Sequence, residues 1–212
     1  VPIATGFLNT MGMAEMGARE QIYYDICQQK LQIAGFAETH INTNSKETHG
    51  DYEFYYSTKI TEEQIKKKEL AKEENAKRKP GSKRPGHEIA AIDAEKLGMG
   101  IAIHKNMKKF LVDVDQEDDR IISAILKTNM GFMVFTFVHA PTAETSSKKK
   151  EEFYNKLNKI ANKYTGQEHI HIIKGDFNAK LVEKSPHETM IGQHIFNPTN
   201  EDLTRLPEDQ LE

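Results

Sequence analysis

The sequence predicts an α/β domain, and three observations predict it. Apolar stretches of strand length alternate with longer stretches whose apolar residues recur at helical spacing. Four of the apolar stretches break off directly into polar side chains. The chain has 212 residues, which suits one domain with a layered core and allows two at most.

The elements follow in order. Residues 2–9 (PIATGFLN) read as a short strand ending in Asn9. A helix comes next, with Ile22, Tyr23, Ile26 and Cys27 on one face. Cys27 is read as a buried helix residue rather than a nucleophile, because no base is identifiable beside it. Residues 31–36 form a buried strand that stops at Ala37-Glu38-Thr39-His40. Residues 51–58 (DYEFYYST) form a strand whose Tyr52, Phe54, Tyr55 and Tyr56 serve sheet packing. Residues 98–105 (GMGIAIHK) form another, opened by glycines. Residues 120–127 and 131–142 are strong strands joined by a short turn around Asn129. Residues 146–164 are helical, with Phe153, Leu157 and Ile160 on one face and lysines on the other. The stretch HIHII at 169–173 reads as a central strand, with His169 and His171 in packing roles.

Composition excludes several classes. Hydrophobic residues make up 37% and charged residues 29%, the balance of a globular domain with a strongly polar insertion. A net charge of -3 gives no global field for nucleic acid, so polyanion binding must come from local patches. A single cysteine excludes an intrachain disulfide framework and fits a reducing, intracellular compartment. No apolar run approaches the ~20 residues that span a bilayer. The N-terminal VPIATGFLNT lacks the basic start of a signal peptide and reads as the cut edge of a longer polypeptide or a processed end.

Residues 59–97 form the polar insertion. From Lys59 to Arg84 there are ten Lys or Arg against five Glu, so the segment is locally basic within an acidic protein. Thr61 and Gln64 form a capping-box signal ahead of a polar helix that Pro80-Gly81 ends. Charge runs of this kind are usually solvated faces. The functional alternative is an arm that contacts nucleic-acid phosphates.

The strand ends carry the chemistry. In HIHIIKGDFNAKL (169–181), period-two geometry places Asp176 and Asn178 on one side of the strand end and turns Phe177 back to pack. Residues 2–9 end in Asn9, residues 31–36 lead into Glu38, and the strand through 138 ends in His139-Ala140-Pro141. These groups are expected to converge on one sheet edge. Oxygen-rich side chains of this kind suit Mg²⁺, which one or two carboxylates hold together with water and substrate phosphate.

The ordered blocks IATGFLN, AETH, DDRIISAIL, FTFVHAPT…KKKEEFYNKL and IIKGDFNAKL resemble the exonuclease–endonuclease–phosphatase superfamily. Within it, they are most similar to the endonuclease domain joined to reverse transcriptase in LINE-type non-LTR retrotransposons. The resemblance covers most of residues 1–212, with 59–97 as an insertion. It implies a DNase I-like four-layered α/β sandwich, here incomplete at the C-terminus. It makes Glu38 the metal-binding glutamate and Asn9 the asparagine supporting the metal and phosphate site. It makes Asp176 the group that orients the attacking water, and Asn178 the group that holds the scissile phosphate. Arg120 matches an arginine at the strand start. The implied cofactor is Mg²⁺, with Mn²⁺ as an alternative ion.

Three departures are visible. The first block has no Trp. His139 stands where the family has a phosphate-contacting tyrosine, and a histidine makes that contact better when protonated, which predicts an unusual acidic dependence. The family's terminal Ser-Asp-His block does not occur in the 212 residues. The implied function is a Mg²⁺-dependent DNA endonuclease that nicks target DNA for retrotransposition, impaired by loss of that block. The alternative is a non-catalytic retroelement fragment that binds nucleic acid. The implied partners are DNA and a reverse transcriptase domain in the parent polypeptide, with a nuclear location if the element is active.

Overall fold

A computed structural model describes residues 2–41, 43–58, 70, 73–74, 76–78, 97–116, 119–164 and 169–179. The strands are β1 (Thr5–Asn9), β2 (Ile33–Ala37), β3 (Ser45–His49), β4 (Tyr52–Ser57), β5 (Met99–His104), β6 (Leu111–Asp115), β7 (Ile121–Thr128), β8 (Gly131–His139) and β9 (His169–Asp176). The helices are α1 (Met16–Gln28), α2 (Lys105–Lys108) and α3 (Ser147–Lys163). The strands form two sheets, ordered β1-β2-β5-β4-β3 and β6-β7-β8-β9. Pairing is antiparallel except for β1 with β2 and β8 with β9.

Period-two alternation divides the apolar residues among three cores and so stacks four layers. On β2, Ala34 and Phe36 face α1, where they join Ile22, Tyr23, Ile26, Tyr52, Phe54 and Tyr56. Ile33 and Ala37 face the second sheet and meet Ile101, Ile122, Phe135 and Phe137. On the far side of the second sheet, Ile121 and Val138 pack against Phe153 and Leu157 of α3. The order is therefore α1, first sheet, second sheet, α3. β2 is buried along its whole length, as expected for a strand covered on both faces. The two sheets approach closely at Gly35, where an added Cβ would lie 2.1 Å from the Phe137 ring.

Several expectations change here. β3 (SKETH) and β6 (LVDVD) were not legible as strands, because each is a charged strand at a sheet edge. β9 is not central: among the described residues it pairs with β8 alone, and it is half-buried along most of its length. Cys27 is exposed, one position beyond the Ile22, Tyr23, Ile26 stripe that meets the first sheet. Phe177 does not turn back to pack and is 37% exposed. Most of 59–97, including Thr61 and Gln64, lies outside the described residues.

Candidate active site

The two parallel pairs place the site. In a parallel pair both strands end at the same edge, so β1 and β2 deliver Asn9 and Glu38 together, with Asn9 in register with Ala37. β8 and β9 deliver His139 and Asp176 together, in register with each other. The expectation of a single sheet edge is corrected: the groups come from two sheets, brought together because the sheets stack face to face. Lys174 of β9 ties the two sheets by donating to the Thr5 carbonyl (3.1 Å) and hydroxyl (2.5 Å) at the start of β1. The glycine of the GDFN block has a packing cause. A Cβ on Gly175 would lie 2.0 Å from the Val138 carbonyl oxygen of the paired strand.

On the first sheet, Glu38 is the centre. Asn9 Nδ2 donates to Glu38 Oε1 at 2.7 Å, and Asn9 Oδ1 accepts from the Met11 amide at 3.1 Å. The Asn9 amide is thus engaged at both ends and positions the carboxylate. Two threonines missed in the sequence brace the same turn. The Thr10 hydroxyl donates to the carbonyls of Ala37 (2.9 Å) and Glu38 (3.0 Å). Buried Thr39 donates its amide to the Gly98 carbonyl (3.1 Å) and accepts from the Met13 amide (3.0 Å). Their signal in the sequence is position alone: each directly follows a predicted site residue.

Backbone strain gathers at this end. Five described non-glycine residues adopt left-handed φ, and four of them are Met11, Glu38, His40 and Asn178. The fifth, Lys30, follows the end of α1, where this conformation is ordinary. Such conformations cost about 1–3 kcal/mol each and persist only where surrounding structure enforces them.

On the second sheet, His139 Nε2 stands 3.6 Å from Glu38 Oε1. Arg120 brackets β8 here: its carbonyl accepts from the His139 amide (2.9 Å), and its Nη1 donates to the His139 carbonyl (3.2 Å). Burial pushes the imidazole below its ordinary value and Arg120 adds to that, outweighing the opposing pull of Glu38 and Asp176. The packed chain by itself therefore favours a neutral imidazole. His139 Nδ1 is buried and has no hydrogen-bond partner among the described residues. Asp176 Oδ1 accepts from the Asn178 amide (2.9 Å), and the Asp176 carbonyl accepts from the Ala140 amide (2.8 Å). Asn178 Nδ2 donates to the Ala140 carbonyl (2.7 Å), locking the GDFN end onto β8. Glu38 and Asp176 both act electrostatically on His139, so both carboxylates lie near this imidazole.

Among the described residues there is no group of three His, Cys, Asp or Glu that could hold a metal unaided. A carboxylate with neutral neighbours suits a hard, oxygen-preferring divalent cation and not a zinc-type cage. Three further histidines are held by local contacts. His171 Nε2 bonds Thr136 Oγ1 (2.8 Å), which bonds Ser123 Oγ (2.8 Å). His169 stacks on Phe132 at 5.3 Å, and His104 Nδ1 caps α2 by accepting from the Asn106 amide (3.2 Å).

No protein-family profile and no curated protein matches the chain. Solved structures do. The catalytic domain of human Nocturnin, solved with a bound sulfate anion, is similar with a TM-score of 0.50 and 15% identity, over 84% of this chain and 66% of that one. D. rerio TDP2, solved with a single-strand DNA product, is similar with a TM-score of 0.46 and 12% identity, over 85% and 62%. An endonuclease/exonuclease/phosphatase family protein from Leptotrichia buccalis is similar with a TM-score of 0.44 and 12% identity, over 84% and 67%. The chain spans less than two thirds of the Nocturnin and TDP2 chains. The Nocturnin likeness shows the fold, an α/β sandwich of the DNase I-like kind.

Proposed function

We propose that the chain is a divalent-metal-dependent phosphodiester hydrolase that nicks DNA, of the type that opens target sites for LINE-type retroelements in the nucleus, beside a reverse transcriptase domain. The observation that supports this best is the run Asn9–Glu38–His139, with Asp176 facing the same histidine, at the meeting of two parallel strand pairs. Glu38, held by Asn9, would hold Mg²⁺ or Mn²⁺, which when bound supplies Lewis-acid stabilisation of phosphoryl charge.

The chain's own residues do the rest. Asp176 uses one carboxylate oxygen to accept from Asn178 and keeps the other for a proton of the attacking water. Asn178 retains its second N–H for a phosphate oxygen after donating the first to Ala140. At 3.6 Å the His139–Glu38 contact is beyond hydrogen-bond distance, so either ring nitrogen is able to carry the proton of the neutral imidazole. Carried at Nε2, since Nδ1 is buried, that N–H would be a donor for developing phosphoryl charge.

Nicking of supercoiled plasmid tests the reading. It predicts relaxed circles with Mg²⁺, none with chelator, and none from Asp176→Asn. Cleavage that survives chelation, or that survives Asp176→Asn, overturns it. Plasmid binding without any cleavage supports the binding-only alternative instead.

A further inference from the structure

Two large apolar side chains are exposed directly beside the site residues in the chain, one at the strand ends of each sheet. Met11 is 80% exposed, two residues after Asn9. Its loop is pinned throughout: the Thr10 amide donates to the Ala37 carbonyl (3.0 Å), the Met11 amide to Asn9 Oδ1 (3.1 Å), and the Met13 amide to the Thr39 carbonyl (3.0 Å). Met11 itself has a φ of 49°, a conformation that side chains rarely adopt. Gly12 follows at 113°, pressed so closely on His40 that a Cβ would lie 2.8 Å from the ring Nδ1. At the end of the second sheet, Phe177 is 37% exposed between Asp176 and Asn178, both tied to Ala140.

Single exposed apolar residues on a surface are ordinary. These two differ in being fixed by hydrogen-bonded loops, one beside each half of the site. Neither helps to bind a phosphate or a cation. The part of a nucleic-acid strand that offers apolar faces next to a scissile phosphate is the pair of bases flanking it. From this we infer that Met11 and Phe177 are base-contacting residues that grip the nucleobases on either side of the cleaved phosphodiester. The inference rests on the proposed phosphodiester chemistry of the cleft and adds to it a preference for strands that carry bases. Methionine and phenylalanine suit the task, since both act as wedges or stacking surfaces against bases of any sequence.

Fluorescence anisotropy with two labelled single strands of equal length separates base contact from phosphate contact. One strand carries bases; the other is abasic with the same charge. Chelator is present, so neither is cleaved. The wild-type chain is expected to bind the base-bearing strand more tightly. Met11→Ala and Phe177→Ala should each weaken that binding about 5- to 100-fold, the range of one base stack. Neither change should move the affinity for the abasic strand, and Met11→Leu should retain the preference. Thermal unfolding at the wild-type midpoint shows that the variants fold. Equal wild-type affinity for both strands, or equal losses on both, overturns the inference. A chain that shows the base preference but never nicks plasmid sinks the proposed hydrolysis and keeps this inference. A chain that nicks without base preference does the reverse.

Discussion

Glu38 and Glu53 are two carboxylates on the same sheet, and their surroundings are opposite. Glu53, on β4, meets Lys108 Nζ at 2.6 Å and Lys46 Nζ at 3.1 Å and accepts from the Tyr55 hydroxyl at 2.9 Å. Lys108 above all holds its carboxyl down to about 2. Glu38 has an amide and a neutral imidazole as partners, on a backbone forced to a φ of 52°. The first carboxylate is neutralised by its neighbours and fastens β3, β4 and α2 together. The second is oriented by neutral groups and stays available to something that arrives. A carboxylate with no cation beside it among the described residues, on a strained backbone, marks function better than exposure does: the Glu38 side chain is 25% exposed and that of Glu53 12%.

The widest gap between the two should appear in catalysis. Glu38→Gln is expected to slow plasmid nicking about 10³-fold, the scale of losing one charge-stabilising group. Glu53→Gln should leave the rate at the wild-type value, and a matching loss there would break the comparison. Asn9→Ala removes the donor that orients Glu38. A loss of about 10- to 100-fold is expected, as for other outer partners of metal ligands. Its signature is a higher Mg²⁺ concentration for half-maximal rate.

Gly35→Ala acts on the scaffold shared by both carboxylates. Its Cβ would press on Phe137 across the inter-sheet core. Urea unfolding should show a loss of about 1–3 kcal/mol, the usual penalty of overpacking. Adding Phe137→Leu should recover part of it.

The smallest effect lies in pH. Glu53 is shifted down from 4.5 to about 2, so its contribution is complete above 4.5 and is lost as pH falls from there toward 2. The lysine side chains are 48% and 62% exposed, which limits that contribution to about 1 kcal/mol. His139 and His171 are held below 6.5 mainly by burial, so the unfolded chain takes up protons first and stability also declines as pH falls below 6.5. Unfolding midpoints across pH should show both windows in the wild type. Glu53→Gln should abolish the lower one only.

Much of this architecture follows from local sequence. An apolar run such as IAGFA has to be covered on both faces, and Phe153 with Leu157 has to face a sheet, because burial follows from residue type and periodicity. The polar ends at Asn9, Glu38, His139 and Asp176 are legible for the same reason, since a strand's end shows where its apolar run stops. Pairing is not local. That the four ends belong to two stacked sheets, that β3 and β6 are strands at all, and that β9 lies at a described edge all depend on partners distant in sequence. So does the fate of Cys27, set by the angle at which α1 docks. The neutral state of His139 likewise comes from burial and from Arg120, which lies nineteen positions earlier. Residue type sets what a group is able to do. Desolvation and neighbouring charge, which only the packed chain creates, set the state in which it does it.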